Sequence, residues 1–561
     1  MWITRKARSS NLILRRFRGR PYLRVRSFSL AAGCYAAPCR GRPVSYWGRS
    51  MLSWFQNRAG RVFAPPPQQG GQQGGDVVSG RAVAYAVAGA MILVFWGLHL
   101  TLIPEGGITM YDEFYTLDRS AGFERHDDWL TVYNKNQPGF RKPPLQYWMT
   151  ALLMKHGADL EVALRLPSMI FALGALVTAG WLAAILVPHV PWAVPAAVLL
   201  CASSLQFWRL SASAMLDAGA TLFTILTLIA AMLALRRPRC WYAMAVAAGL
   251  GALQKAPVGL VFVLILIWLL NLTRARHGFS YAKLKESPHF LRGLRLAAIA
   301  VLAWPLYQTI LYGGEALEDL YGGQMAERFV PVRPFKDPRT GGDLWNLIIV
   351  GEPVFRVLAI VALMWMPWRL RRPEFLPLAM VFAIYVVAMG LASGSVYPRY
   401  SLIFVPLLAA ALAAVAMSLF RVRWVGALGI VAVVAAGGGP IRSATELEIA
   451  QDPRLQTQIS ELTRVAGQLT PAETLVTCNW NRETRFFPGA VSYYAAVNGR
   501  PFVGLDTPQQ IPRWVEGGRM NGPLRGVCTD EELDQIADGL DDLRRGERHS
   551  GYVHWTAAGP R

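Results

Sequence analysis

The chain has 561 residues, of which 53% are hydrophobic and only 17% are charged. That balance excludes an ordinary soluble enzyme, because the apolar residues come in blocks of membrane-spanning length and not in amphipathic stripes. The formal net charge of +21 would suggest a nucleic-acid partner in a soluble protein. Here the excess lies mostly in one N-terminal tail and in turns between apolar blocks, so we expect membrane lipids as neighbours and no nucleic acid.

Residues 1–80 are predicted to be a disordered basic tail and linker. Residues 1–62 are rich in arginine, as at Arg15-Arg16-Phe17-Arg18, and almost free of acids. They could be a targeting segment, a lipid-binding arm or translated sequence ahead of a true start at Met51. We favour a start at Met51 over Met1, because Met51 begins a conventional short lead into the first apolar segment. The Pro/Gln/Gly-rich stretch 65–75 is a flexible linker.

Residues 81–441 are predicted to be an all-α polytopic transmembrane domain with about eleven helices. The fifth and sixth apolar segments are short and could be one broken helix, which leaves the number of spans uncertain by about two. The segments are 82–103, 162–187, 191–208, 214–235, 241–254, 257–272, 294–312, 346–367, 374–393, 401–420 and 424–440.

Basic residues divide the turns between these segments into two groups. With the N-terminus inside, the clusters of cations fall on the cytoplasmic side, as the usual distribution of Lys and Arg requires. These clusters are Arg236 to Arg239, Arg274 to Arg295, Arg369 to Arg372, and Arg421 to Arg423. The short turns on the other side carry the single cations Arg209, Lys255 and Arg399, which topology does not require. The sequence therefore predicts a functional site on the outer side.

Two vicinal carboxylates, Asp112 and Glu113, follow the first span in a polar loop. The simple interpretation is a solvated turn at the membrane surface. A carboxylate beside a low-dielectric region can also act as a general base, and further polar groups follow on the same side. We predict that Asp112, alone or with Glu113, is catalytic and deprotonates an acceptor. A single displacement with inversion needs no protein nucleophile.

The run Arg141-Lys142-Pro143-Pro144 follows in the same loop. Because proline disfavours a helical conformation in the preceding residue, Lys142 is expected on a rigid extended segment. It could anchor the chain at the membrane boundary, or it could stabilise the negative charge of a departing lipid phosphate. We predict phosphate binding by Arg141 and Lys142, with Tyr147 as a substrate contact.

Further charged residues stand at the outer ends of later spans. A carboxylate that faced lipid at Asp217 would be costly, so we expect it to face a cavity or to pair with a cation. Each such residue alone is more often part of a structural pair, but together they indicate a charged cleft. We predict that Lys255 and Arg399 bind the donor phosphate, and that the substrate is contacted by Asp217, Arg328 and Tyr400.

Residues 442–561 return to a mixed polar composition and predict a small α/β domain outside the membrane. No P-loop or GxGxxG motif precedes a helix in the sequence, which disfavours nucleotide-driven chemistry. No CxxC or Cys/His spacing predicts metal ligands, although the need for a divalent metal stays open. Cys478 and Cys528 share this domain and could form a disulfide if it faces an oxidising compartment.

In this order, these residues resemble the GT-C class of integral-membrane glycosyltransferases. The likeness is to the family of dolichyl-phosphate-mannose protein mannosyltransferases and bacterial lipid A aminoarabinose transferases. It spans about 81–440, with a weaker likeness to the bacterial periplasmic domain at 486–503 and 522–533. The stretches that carry it are 111–113, 128–130, Arg141 to Trp148, 164–168, 213–217, 249–259 and 397–406.

The resemblance implies a polyprenyl-phosphate-sugar donor, an acceptor outside the cytoplasmic membrane and a catalytic acid at Asp112. It also implies a bacterial inner-membrane protein whose active site and C-terminal domain face the periplasm. One departure is Arg141, which stands where aminoarabinose transferases carry a glutamate that can ligate zinc. The resemblance therefore does not extend to that metal site.

We expect a glycosyltransferase that transfers a hexosyl or pentosyl group to lipid A or another glycolipid. A protein O-mannosyltransferase-like enzyme is the alternative within the same class. A lipid or solute transporter or flippase would also place charges in the membrane, but would distribute them along a pathway through its depth. A membrane scaffold would tolerate replacement of both Asp112 and Lys142.

Overall fold

The computed structural model describes residues 74–103, 111–134, 137–320, 352–390, 398–419, 423–437, 453–470, 472–481, 486, 490–491, 494, 502–505, 507–516, 520 and 522–560. Residues 1–73 of the predicted tail and linker, which include the alternative starts at Met1 and Met51, lie outside these residues, as does Arg328. Residues 74–80, predicted to be the end of that disordered linker, are instead the start of the first helix.

The first and larger part of the fold is helical. In chain order its helices are α1 (Gly74–Leu102), α2 (Tyr111–His126), α3 (Leu145–Lys155), α4 (Leu160–Leu186), α5 (Ala193–Ala202), α6 (Leu205–Ser211), α7 (Asp217–Ala234), α8 (Cys240–Gln254), α9 (Val258–Leu272), α10 (Arg274–His277), α11 (Tyr281–Lys285), α12 (Pro288–Tyr312), α13 (Gly314–Leu317), α14 (Pro353–Arg369), α15 (Leu376–Gly390), α16 (Val405–Leu419) and α17 (Arg423–Gly437). Two 3₁₀ helices, Pro373–Phe375 and Pro398–Phe404, lead into α15 and α16.

Every predicted span contains a helix, but the number of about eleven spans is not confirmed. Among the described residues, six helices are long and apolar enough to cross a membrane, or seven if the pair α5 and α6, bent by 69°, is one span. Helices α8, α9 and α17 have 15 residues each and α14 has 17. A perpendicular span needs about 20.

The helices pack through apolar and small side chains. On α16, the residues Ala409 to Ala411, Ala413 and Ala414 are fully buried, and this helix packs against α4, α5 and α14. Small side chains let helix backbones approach closely, which is how helices associate in a solvent as apolar as their own surfaces. On α12, Gly293 abuts the backbone of Trp241, so even a methyl group there would clash.

The segment after α1, predicted as a polar loop, is largely helical. Helix α2 starts with acidic residues and ends with basic ones, an order that complements the helix dipole. A short hairpin of β1 (Tyr133–Asn134) and β2 (Gln137–Pro138) follows it, and α3 starts directly after Pro143 and Pro144.

The C-terminal part forms the small α/β domain that the sequence predicts. Its helices are α18 (Pro453–Ala466), α19 (Ile511–Glu516) and α20 (Asp530–Ile536). Its strands are β3 (Thr474–Cys478), β4 (Phe502–Leu505), β5 (Leu524–Cys528), β6 (Leu540–Asp541), β7 (Arg544–His549), β8 (Tyr552–Ala557) and β9 (Gly559–Pro560).

The main sheet of this domain has the strand order β4-β3-β5-β8-β7. Strands β4, β3 and β5 run parallel, and β8 and β7 continue the sheet antiparallel. A disulfide joins Cys478 and Cys528, the last residues of the neighbouring strands β3 and β5, and confirms the pairing that the sequence allowed.

This domain packs directly on the helix that carries Asp112. Phe114 and Leu117 of α2 are buried in one apolar cluster with Leu462 of α18, Leu475 of β3 and Tyr552 of β8. The same cluster includes Leu164 of α4, so the small domain, α2 and α4 pack together around one apolar core.

Candidate functional site

Four charged residues predicted for the site stand at helix ends. Asp112 lies in the first turn of α2, Asp217 is the first residue of α7, and Lys255 directly follows α8. Arg399 lies in the 3₁₀ helix before α16. Because polar side chains at the termini of apolar helices lie at the edge of the bundle, these positions can share one cleft.

The carboxylate of Asp112 forms an ion pair with the guanidinium of Arg399. The Asp112 side chain is 41% exposed, so a substrate can still reach it. The hydroxyl of Thr116 donates to the carbonyl oxygens of Asp112, at 3.0 Å, and of Ala214, at 2.8 Å. The backbone of the first turn of α2 is therefore held against the segment before α7.

A second ion pair lies close to the first. The ammonium of Lys255 donates to Asp217 Oδ1 at 2.7 Å and lies 5.4 Å from the centre of the Tyr400 ring. The guanidinium of Arg399 lies within the electrostatic reach of both Asp112 and Asp217. The two pairs therefore form one cluster, as the sequence predicts, and we name it the charge cluster: Asp112, Arg399, Asp217 and Lys255.

Tyr147 is buried within electrostatic reach of Asp112. Its hydroxyl accepts a hydrogen bond of 2.9 Å from Arg119, and the charge of Asp112 reaches its ring. Burial raises the pKa of Tyr147, and the nearby Arg119 guanidinium opposes that shift. The sequence does not predict Arg119 as a site residue, because a polar loop after the first span gives no face on which to place it. On a helix it stands seven residues after Asp112 and so on the same face.

The predicted phosphate-binding residues Arg141 and Lys142 stand just before α3. Arg141 donates to Asp319 Oδ1 at 2.6 Å, and its side chain is exposed. Lys142 is half-buried before the buried Pro143 and Pro144, in the segment that leads into α3 and Tyr147. The phosphate-binding roles of Arg141 and Lys142 stay predictions.

Glu113 is buried in an ion pair of its own. Its side chain is 1% exposed and accepts from Arg165 at 3.0 and 3.3 Å and from the backbone N–H of Ala214 at 2.9 Å. Arg165 also donates to the carbonyl oxygen of Ile103 at 2.7 Å. This geometry suits a clamp between α2, α4 and the segment before α7, and the catalytic role predicted for Glu113 stays a prediction.

A chain of buried amides and hydroxyls holds the start of α7. Gln254 donates to Gln146 Oε1 at 2.7 Å and to the carbonyl oxygen of Leu216 at 3.1 Å. Gln146 donates to Ser168 at 2.9 Å, and the Ser168 hydroxyl donates to the carbonyl oxygen of Met215 at 3.0 Å. These bonds fix the backbone on which Asp217 stands. No sequence signal predicts these hydrogen bonds, since isolated glutamines in apolar segments have no diagnostic spacing.

A buried ion pair supports the residues next to Arg399. Arg356 donates to Glu352 at 3.2 Å and to Gln206 Oε1 at 2.6 Å, and the same amide oxygen accepts from Ser401 at 3.0 Å. Glu352 accepts from the Ser204 hydroxyl at 3.0 Å. The break between α5 and α6 is thereby joined to the 3₁₀ helix that carries Arg399 and Tyr400.

Within the described residues, no group of three His, Cys, Asp or Glu side chains has an arrangement that could hold a metal ion. The charge cluster itself contains two carboxylates, Asp112 and Asp217, and two cations, Lys255 and Arg399.

The fold is similar to that of ArnT from Cupriavidus metallidurans. The crystal structure of that protein bound to undecaprenyl phosphate superposes with a TM-score of 0.61 at 17% identity, over 84% of this chain and 97% of that chain. Its apo structure gives 0.59 at 15% identity, over 85% and 98% of the two chains. At these identities the likeness establishes a shared fold.

The sequence pattern of the family described as Dolichyl-phosphate-mannose-protein mannosyltransferase matches residues 141–304. That range contains Lys142, Asp217 and Lys255. No curated protein sequence matches the chain significantly. The resemblance to the GT-C class of membrane glycosyltransferases that the sequence predicts is thus confirmed by the family match and the fold.

Proposed function

We propose that this protein is a polytopic membrane glycosyltransferase that uses a polyprenyl-phosphate-sugar donor. The observation that carries the proposal is the charge cluster, which gathers a reachable carboxylate and two cations at one end of a helical bundle with the ArnT fold. Such a cluster has the groups needed to deprotonate an acceptor and to stabilise a departing phosphate.

In the proposed reaction, the acceptor attacks the anomeric carbon of the donor sugar and the bond from that carbon to the phosphate oxygen breaks. Asp112 takes the proton of the attacking hydroxyl or amine. Lys255 and Arg399, with Lys142 and Arg141 from the preceding loop, stabilise the charge that passes to the polyprenyl phosphate. A single displacement inverts the anomeric configuration.

The ion pair between Asp112 and Arg399 makes donor binding precede deprotonation of the acceptor in this proposed reaction. A phosphate that enters the cluster competes with Asp112 for the guanidinium, because both are oxyanions. The carboxylate oxygen released by Arg399 is then free to accept the proton. Asp217 holds Lys255 in place, while Tyr147, Tyr400 and Arg328 are proposed to contact the substrate.

We further propose that the charge cluster and the C-terminal domain face the periplasm of a bacterium. Arg236 and Arg372 lie at the end of α7 and just before α15, and arginine-rich ends usually face the cytoplasm. The Cys478–Cys528 disulfide is typical of an oxidising compartment, and its domain packs on α2 beside Asp112.

Membranes that contain the protein, incubated with a radiolabelled polyprenyl-phosphate sugar, test the transferase. The wild type should form labelled product, and Asp112→Asn should lower the rate by about 10²- to 10⁴-fold while the protein remains folded. Asp127→Asn, a neutralised exposed carboxylate in the same segment, is the matched control and should keep the wild-type rate. Near-normal product from Asp112→Asn would remove the base assignment, and label that crosses the membrane without covalent transfer would indicate a flippase.

The acceptor is proposed to be lipid A or another glycolipid. The match to the protein mannosyltransferase family favours a protein acceptor as the second candidate. Mass spectrometry of lipids and of glycoproteins from a deletion strain and its parent separates the two, because the missing sugar appears in only one fraction.

A further inference from the structure

A second cleft lies at the end of the bundle opposite the charge cluster. It is a groove open to its surroundings, and its walls include Ile185 of α4, Leu235 next to the end of α7, Leu270 of α9 and Leu378 of α15. Asp217 begins α7 at the other end of that helix. The cleft is therefore separate from the charge cluster by the length of a helix.

Cations surround the opening of this cleft. Arg236 and Arg372 line it and share one carboxylate, that of Glu374, at 3.8 and 3.0 Å. Arg372 also donates to the carbonyl oxygens of Ile185 and Leu186, which fixes its side chain against the end of α4. Two guanidiniums facing one carboxylate leave a net positive charge at the opening.

The surroundings add more positive charge. Arg237 and Arg239 are exposed directly after Arg236, and Lys283 and Lys285 on α11 are exposed shortly after Phe279, which is part of the cleft wall. An apolar cleft with a basic opening at the end of membrane helices suits an anionic phospholipid. The acyl chain of such a lipid is apolar, and its phosphate carries negative charge at the level of the membrane surface.

We propose that this cleft is a binding site for an anionic phospholipid, with an acyl chain against Met232, Leu270 and Leu378 and the phosphate beside Arg236. Lipid tails surround the bundle, so apolar contact alone gives little preference for one lipid over another. Selectivity for the anionic headgroup comes from the cations, and each basic residue near the phosphate contributes about fivefold to binding. The site is independent of the proposed glycosyl transfer.

Native mass spectrometry of the full-length protein, released from detergent micelles, tests the proposal. The probes are phosphatidylglycerol and phosphatidylcholine with identical acyl chains, added in equal amounts. The wild type should retain phosphatidylglycerol at least about fivefold more than phosphatidylcholine. Arg236→Gln should lower that ratio by about fivefold, and Met232→Trp, which fills the cleft, should lower retention of both lipids.

Arg292→Gln is the matched control, since Arg292 is an exposed arginine of α12 that does not line the cleft. It should leave the ratio unchanged. Equal retention of the two lipids by the wild type would overturn the site, as would an equal loss in Arg292→Gln. Displacement of phosphatidylglycerol by an equimolar amount of undecaprenyl phosphate would show that the assigned occupant is wrong.

Discussion

Asp112 and Arg399 stand 287 positions apart in the sequence and form an ion pair at one end of the helical bundle. The pair joins the first turn of α2 to the 3₁₀ helix before α16. Both side chains remain partly exposed, so the contact can exchange with a ligand. The neighbouring Glu113 is instead fully enclosed with Arg165, so these two adjacent carboxylates differ in how accessible they are to a ligand.

Removal of Arg165 is expected to destabilise the protein. Arg165→Ala leaves Glu113 as an unpaired charge in a buried site, which costs about 3 to 5 kcal/mol. The thermal unfolding midpoint of the purified protein in detergent should fall clearly. Arg119→Ala, which removes a half-buried arginine from α2, serves as the comparison and should have a smaller effect. An unfolding midpoint for Arg165→Ala equal to that of the wild type would contradict the clamp.

The pair of Lys255 and Asp217 offers a test that separates activity from stability. Under the proposed function, Lys255→Met removes a cation from the departing phosphate and should lower the transfer rate by about 10²- to 10³-fold. It also leaves Asp217 without its ammonium partner, so stability should fall as well. Lys255→Arg keeps the charge and should retain most of the stability.

The double variant Lys255→Met/Asp217→Asn completes this test. Removal of both charges should recover much of the stability lost in Lys255→Met, because no charge is then left in the buried position without its ammonium partner. Transfer should stay low, since the cation is still missing. Recovery of the transfer rate along with stability would show that Lys255 serves only the architecture.

The convergence of the cluster could be predicted from topology alone. Apolar segments flank Asp112, Asp217, Lys255 and Arg399, and the alternation of these segments across the membrane places all four residues on the same side.

The burial of Glu113 could not be predicted from the sequence. It depends on α2 being a helix, in which adjacent residues point about 100° apart. Its partner Arg165 lies in a segment that the sequence predicts only as an apolar span, so the ion pair between them is not predicted either. The predicted number of spans is not confirmed for a related reason, since hydropathy measures the length of an apolar segment and not where a helix ends.

The disulfide between Cys478 and Cys528 should stabilise the C-terminal domain. It closes a loop with a sequence separation of 50 residues, and a bridge of that kind typically contributes about 2 to 4 kcal/mol by restricting the unfolded chain. Reduction should therefore lower the unfolding midpoint of the wild type. The double variant Cys478→Ser/Cys528→Ser should unfold at that lower temperature and lose its response to reductant. A response that persists in the double variant would assign the effect to another thiol.

Asp128 anchors the segment between α2 and α3. It accepts from the backbone N–H groups of Leu130 at 2.9 Å and Thr131 at 3.2 Å, and from the Tyr133 hydroxyl at 3.2 Å. The carbonyl oxygen of Leu130 in turn accepts from Trp304 and Gln308 of α12, at 2.9 and 2.7 Å. Burial alone would raise the pKa of Asp128, but the hydrogen bonds to its ionised form hold that pKa below the usual range.

A carboxyl whose pKa is lower in the folded than in the unfolded state stabilises the fold above its unfolded pKa, about 3.9 for aspartate. That contribution is lost as the pH falls through the folded pKa. Asp128→Asn should therefore unfold at a lower temperature than the wild type at pH 7, and the difference should shrink as the pH falls below about 4. Asp127→Asn is the control, because Asp127 has a positive φ of 50° that asparagine also adopts. A gap between Asp128→Asn and the wild type that stays constant across this pH range would show that the hydrogen bonds do not depend on ionisation.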